Sequence, residues 1–269
     1  MFTRMALYVV AHQDDWQLFM DPGISADILD ATCKTIIIHT TAGDAGEDRK
    51  FWQAREQGAI NSLLFRHCRH SHANVSRKYV GIGGKKVYLA EAANCGLYFL
   101  RLPDGGMHGQ GFAAYGFGSL GRLRLQRIDC LTSVDQLNTF RSTAEISRLL
   151  DGIFTRELRR NPVADRSRVT LSFPEYDHAR NPDDHNDHFQ TALLLRDTDA
   201  YGPAKKYAFV HYDIQHSAAD LEGTDLFWKV GMFCAYHQAV LDAHGYSTID
   251  ESPQYYRWCT KNSIRREVV

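Results

Sequence analysis

Long apolar runs are missing from this chain of 269 residues. A bilayer-crossing helix needs about 20 consecutive apolar residues, and nothing in the sequence approaches that. The apolar stretch nearest the start, Met5 to Val10, gives way at once to His12-Gln13-Asp14-Asp15. That interruption leaves no signal-peptide core, so a cytoplasmic protein with no membrane partner is expected. A surplus of one charge is missing too. Lys and Arg number 31 against 32 Asp and Glu, a net charge of -1, which leaves no electrostatic footprint for nucleic acid. The expected ligand is therefore small or neutral. The six cysteines are scattered without a CxxC pair, which excludes a zinc ribbon or a thioredoxin-like site and leaves reduced, mostly buried thiols. Prolines are few, at 7, and no Pro-, Gly- or Ser-rich linker divides the chain. One domain over residues 1–269 is expected, large enough to bury about three quarters of its unfolded surface without staples.

What is present alternates between strand-like and helix-like segments. Met5–Val10 and Lys34–His39 read as buried strands, with a short helix at Ser25–Ala31 between them. Strand, helix, strand at this spacing implies a right-handed parallel βαβ unit. Helical periodicity follows from Glu47 to about Phe65. Residues 79–102 have the pattern of antiparallel β structure, and residues 105–121, with seven glycines, that of a long loop. Helix returns over Ala144–Arg160, strand over Arg168–Phe173, and the polar run Glu175–His188 leads into a helix through about Leu195. A last strand is expected at Tyr207–Tyr212 and a long helix at Leu221–His244. The fold class is α/β: a mostly parallel, Rossmann-like sheet flanked by helices, with an antiparallel hairpin inserted.

Ligands of open α/β sheets bind at the carboxyl ends of the strands. Ala11-His12-Gln13-Asp14-Asp15 follows the first strand, and Asp184-His185-Asn186-Asp187-His188 runs from a loop into a helix. Imidazoles and carboxylates packed together are costly to desolvate unless a cation compensates them. Two His and one carboxylate, leaving an open position, is a frequent catalytic zinc arrangement. Plainer readings stand beside this one. Asp14 and Asp15 could cap the next helix, and His185 and His188 could share an exposed helical face.

AHQDD after the first strand, TAGDAG after the second, LRLPDGG mid-chain and DHNDH late in the chain resemble the PIG-L / LmbE-like N-deacetylases, collinearly from about residue 6 to about residue 240. The resemblance implies a Rossmann-like fold, a zinc ion (ferrous iron also suits such ligands) and removal of an acetyl group from an N-acetylated sugar or glycoside. By motif position His12, Asp15 and His188 would ligate the metal. Asp14 would be the general base towards a metal-activated hydroxide, and His185 would assist the oxyanion. Asp187 would orient an imidazole or cap its helix. Asp44 would touch the substrate or brace the metal loop, and Asp104 would hydrogen-bond sugar hydroxyls or make an Asp-Gly turn.

The chain departs from the family pattern at three places. Gln13 stands where proline is usual. Trp16 stands where glutamate is usual, as an aromatic wall for a sugar or as packing. No arginine lies three residues before helical Glu56, so Arg55 or Arg49 would substitute. His178 and His211 are further candidates for the pocket lining, whereas His67, His70 and His72 read as a polar loop in preference to a second metal site. The glycines at 81–84 lie in a hairpin and fail the context of a phosphate loop. The rivals to a sugar deacetylase are an amidase on another acylated small molecule and a catalytically silent sugar-binding homologue.

Overall fold

The computed structural model describes residues 2–67, 74–163, 165–252 and 254–268. His70 and His72 therefore lie outside the described residues. An eight-stranded sheet runs β10-β9-β8-β1-β2-β5-β4-β3. Its strands are β1 (Arg4–Val10), β2 (Cys33–Thr41), β3 (Ser76–Ile82), β4 (Lys85–Ala92), β5 (Cys95–Leu102), β8 (Val169–Pro174), β9 (Lys205–Phe209) and β10 (Arg265–Val268). The central five, β9-β8-β1-β2-β5, are parallel; β10 closes one edge antiparallel, and β4 and β3 extend the other antiparallel. The expected hairpin is thus continuous with the main sheet, turning at Gly83 and Gly84, both at positive φ. A separate small hairpin, β6 (Leu131–Thr132) with β7 (Thr139–Phe140), was not legible in advance.

Strand β1 shows why the central strands read as unbroken apolar runs. Met5, Leu7 and Val9 enter one core with Ile146, Leu150 and Leu194 of the helices α5 (Thr143–Arg160) and α6 (Asn186–Arg196). Ala6, Tyr8 and Val10 enter the opposite core, beside Ile24 and Ile28 of α2 (Gly23–Leu29) and Ala59, Ile60 and Leu63 of α3 (Arg49–His67). Successive side chains point to opposite faces, and both faces are covered. The helix α7 (Gly223–His244) packs along α3. No helix among the described residues is long and apolar enough to cross a membrane.

Three expectations need correction. The segment before β2 forms two short helices, α1 (Asp15–Phe19) and α2, in place of one at Ser25–Ala31. The strand expected at Tyr207–Tyr212 ends at Phe209, and Tyr212–His216 forms a 3-10 turn. It is not the last strand either, because β10 pairs beside it. The sequence of β10, Arg-Arg-Glu-Val, is charged as edge strands often are, so it carries no apolar alternation to find.

Topology decides where loops meet. Chain order reverses at β1, with β2 on one side and β8 on the other. Such a switch point opens a crevice at the carboxyl ends of the strands. The segments after β1, β2, β5, β8 and β9 all leave the sheet at that edge.

The close approach of α3 and α7 is testable at Gly58. A Cβ there would lie 2.5 Å from Cδ2 of Tyr236 and 3.0 Å from its backbone oxygen. Gly58→Ala is expected to destabilise the fold by about 1–3 kcal/mol, read as a lower urea midpoint at unchanged m; an unchanged midpoint would contradict this packing.

Candidate metal centre

The crevice brings together residues 173 positions apart. Helix α1 starts four residues after β1, and Asp15 at its first position folds back over that short loop: Oδ2 accepts the backbone N–H groups of Ala11 at 3.0 Å and His12 at 2.7 Å. Its other oxygen, Oδ1, lies 3.1 Å from Nε2 of His188 and 3.6 Å from Nδ1 of His12. Nδ1 of His12 and Nε2 of His188 are 3.2 Å apart. Four-coordinate zinc with bonds of about 2.0–2.1 Å needs donor atoms roughly 3.3–3.4 Å from one another, so this triangle fits a small divalent ion.

The chemistry of the donors agrees. His188 gives its Nδ1–H to Oδ1 of Asp184 at 2.6 Å, the carboxylate–imidazole pairing that orients metal-binding histidines. Its Nε2 then faces Asp15 and His12 across a gap that only a proton or a cation makes favourable. Burial disfavours charge on His188, but Asp15 and Asp184 outweigh it and raise the imidazole to about 9. Burial likewise opposes charge on His12, yet Asp15 leads a set of carboxylates that hold it well above its ordinary range. Asp15 itself is pushed up by burial and held well below the usual carboxylate range by His188 and His12. The pocket is negative enough to retain a cation of some kind.

His185 differs in state and position. It caps helix α6, its Nδ1 accepting the N–H of Asp187 at 3.1 Å. The proton of the neutral ring therefore sits on Nε2, 3.6 Å from Oδ1 of Asp104. Burial and the neighbouring charge of His12 lower this imidazole to about 4, so it is a neutral donor at physiological pH. Asp187 takes the N–H of Gly105 on Oδ2, which also lies 3.6 Å from Nε2 of His12. It thus stands beside both histidines.

Asp14 is clamped from two remote segments. Nη2 of Arg55, on α3, donates to its Oδ1 at 2.6 Å, and the hydroxyl of Tyr255, on α9 (Gln254–Cys259), donates to its Oδ2 at 2.9 Å. Arg55 spends its other nitrogens on the Gly43 carbonyl and the Tyr236 hydroxyl, each at 2.6 Å. Gly43 must be glycine: φ is +55°, and a Cβ would meet Nη1 of Arg55 at 2.5 Å. Gln13 ties its loop to the next through Nε2 and the Thr41 carbonyl at 3.0 Å.

Of the remaining candidates, Asp44 braces. Its carboxylate accepts the N–H groups of Asp104 at 2.7 Å and Gly46 at 3.1 Å, and burial raises it to about 7. Asp104 lines the cavity with His12, Asp14, Asp15 and His185. Trp16 does not form a wall of it: the ring is fully buried in the core beside Ala6, Met20 and Ile24. Arg49 is exposed, and Glu56 is taken up by Arg101 in a bidentate pair at 2.7 and 2.8 Å. His211 is buried behind His188 at 4.4 Å between ring centres and stacks on Phe19, while His178 stacks on Phe189; neither lines the cavity. The sequence reading missed the aromatic side, where Phe19, Phe112, Tyr212, Tyr255 and Trp258 border the same cavity of about 250 Å³. The aromatic density of Gln-Tyr-Tyr-Arg-Trp at 254–258 was the available signal.

No family model and no curated protein matches the chain. Among solved structures it is similar to a triple mutant of a deacetylase of the teicoplanin biosynthetic pathway (11% identity, 94% of this chain and 88% of that one, TM-score 0.49). It is also similar to the zinc-inhibited form of teicoplanin deacetylase Orf2 (11%, 94% and 90%, TM-score 0.46). A third is GalB, a 4-carboxy-2-hydroxymuconate hydratase from Pseudomonas putida KT2440 (14%, 95% and 82%, TM-score 0.39).

Two predictions follow from the donor geometry. His188→Ala should abolish stoichiometric zinc binding, and Asp184→Asn should weaken it about 10–100-fold, measured by competition with a chromogenic chelator; wild-type affinity in both would remove the centre. Because His188 is raised to about 9, an entering ion must displace protons at neutral pH, so affinity should fall as pH falls. Calorimetry in buffers of differing ionisation enthalpy should show protons released, and zero release would contradict the protonated cluster.

Proposed function

We propose that this chain is a divalent-metal-dependent amide hydrolase that removes an acyl group from the nitrogen of an N-acetylated sugar or glycoside. One observation carries the reading: the donor atoms of His12, Asp15 and His188 converge within 3.1–3.6 Å beside a second carboxylate, Asp14, on the same cavity. A cation binder has no need of that second carboxylate, and a hydrolase has. His12, Asp15 and His188 would hold the ion, zinc by default and ferrous iron equally suited by ligand type. Bound there, a divalent cation makes water acidic near neutral pH and polarises an amide carbonyl.

The chain's own residues do the rest. Asp14 takes the proton of the attacking water. A carboxylate has about four lone-pair sites, so Arg55 and Tyr255 leave it capacity to accept while fixing its direction. As the carbonyl carbon becomes tetrahedral, charge builds on its oxygen, and His185 meets it with Nε2–H. A donor of that kind contributes about 3 kcal/mol to the transition state. Collapse breaks the C–N bond, with the proton held on Asp14 passing to the departing amine. Asp104 and Asp187 keep His185 and His12 in place.

The Arg55–Asp14 pair also favours a second reading, a silent binding homologue in which Asp14 serves structure alone. Asp14→Asn separates the two. The hydrolase reading expects a loss of kcat of about 10²-fold or more towards N-acetylglucosamine or its glycosides, with metal content unchanged. His185→Ala should cost about 10²–10³-fold in kcat. Release of acetate by Asp14→Asn at the wild-type rate would remove the base from the mechanism.

A further inference from the structure

Most side-chain donors that line the cavity are already committed within the protein. Arg55 spends its three nitrogens on Asp14, Gly43 and Tyr236, the Tyr255 hydroxyl goes to Asp14, and the Trp258 indole N–H goes to the Tyr212 carbonyl at 3.3 Å. Nε2 of His12 is buried and stands 3.6 Å from Asp187 and 3.8 Å from Asp104. Two donors on the cavity lining have no acceptor among the described residues. One is Nε2–H of His185, beyond hydrogen-bond reach of Asp104 at 3.6 Å; the other is the hydroxyl of Tyr212.

Tyr212 is fixed in place although its hydroxyl holds nothing. Strand β9 ends at Phe209, the chain turns at His211 with φ −101° and ψ −104°, and Tyr212 opens the 3-10 turn. Its backbone N–H reaches Oδ1 of Asp184 at 3.4 Å, the same oxygen that takes Nδ1–H of His188. Centre to centre, its ring stacks on Trp258 at 4.6 Å, meets His188 edge-on at 5.2 Å and lies 6.4 Å from His185. Burial, and then the charges of Asp15, Asp14, Asp184 and Asp104, hold the phenol well above its ordinary range. It therefore stays a neutral donor at physiological pH.

We propose that Tyr212 is a further catalytic residue, whose O–H joins Nε2–H of His185 in receiving the acyl oxygen of the substrate as that oxygen gains charge. This rests on the amide-hydrolase reading for the position of the amide. An acyl oxygen has lone pairs for more than one donor, and donors fixed beforehand stabilise the charge without reorganising. No covalent bond changes at Tyr212. Its proton stays on the phenol oxygen while water adds to the carbonyl carbon and Asp14 takes the water's proton. The hydrogen bond weakens again when the C=O bond re-forms and the amine leaves.

Tyr212→Phe tests this, because it keeps the ring, its stacking and the backbone bond and deletes only the hydroxyl. In the metal-loaded protein, kcat for acetate release from N-acetylglucosamine or its glycosides should fall about 10²-fold, with KM little changed. Metal content and urea midpoint should match the wild type, since no bond within the protein is lost. A second arm uses methylphosphonate, a tetrahedral anion that resembles the acetyl adduct. By calorimetry it should bind metal-loaded Tyr212→Phe about 10-fold more weakly than metal-loaded wild type. A role confined to packing would move neither measurement. Wild-type kcat in Tyr212→Phe, with Asp14-dependent turnover intact, overturns the assignment and leaves the hydrolase standing. If the wild type releases no acetate, the hydrolase falls and methylphosphonate decides: weaker binding by the variant supports Tyr212 as a donor, and equal binding overturns it.

Discussion

A small volume at the switch point of the sheet holds the charges of Asp15, Asp184 and the imidazoles of His12 and His188 away from water, and those charges have to cancel among themselves. Burial works against ionising every one of these groups, yet mutual attraction lowers the two carboxylates below their ordinary range and raises the two imidazoles above theirs. Removing one partner from such a set leaves another buried and unpaired, which is far more costly than an exposed ion pair ever contributes. The rest of the crevice is arranged around that requirement. Asp15 reaches it because α1 begins only four residues after β1, with Asp15 as its first residue, and His188 because it sits in the first turn of α6, with Asp184 placed to receive its second nitrogen.

Around this cluster the backbone supplies bracing that side chains alone could not. Asp44 and Asp187 use carboxylate oxygens to hold the N–H groups of Asp104 and Gly105, so the loop after β5 is pinned to the loop after β2 and to the first turn of α6. Further along β5, Arg101 is buried at positive φ and locked by Glu56, Asp135 and Tyr79. These links place Asp104 opposite His185. They also give the glycine-rich loop a fixed root, and Phe112 of that loop lines the cavity.

Much of the fold was readable because burial on both faces writes itself into strands as continuous apolar runs. Met5–Val10, Lys34–His39 and Arg168–Phe173 stood out for that reason, and helices α3, α5, α6 and α7 were read from their helical pattern instead. The edge strand β10 and the two-residue strands β6 and β7 carry no such imprint. Trp16 was ambiguous on sequence, because an aromatic ring after a metal motif suits a substrate wall and a core equally well; packing against Met20 and Ile24 decided it.

By itself the sequence determined which residue types would be buried together and in what order: an imidazole and two carboxylates after the first strand, and a second imidazole group entering a late helix. Residue type and local spacing suffice for that, since they set hydrogen-bonding capacity and helix phase. Only the tertiary structure decided that Arg55 and Tyr255 share Asp14, that His185 keeps its proton on Nε2, and that aromatic rings from residues 112, 212 and 255 face the same space. Those relations join segments up to 241 positions apart. No local pattern encodes them, because they arise from where a twisted parallel sheet delivers the ends of its strands.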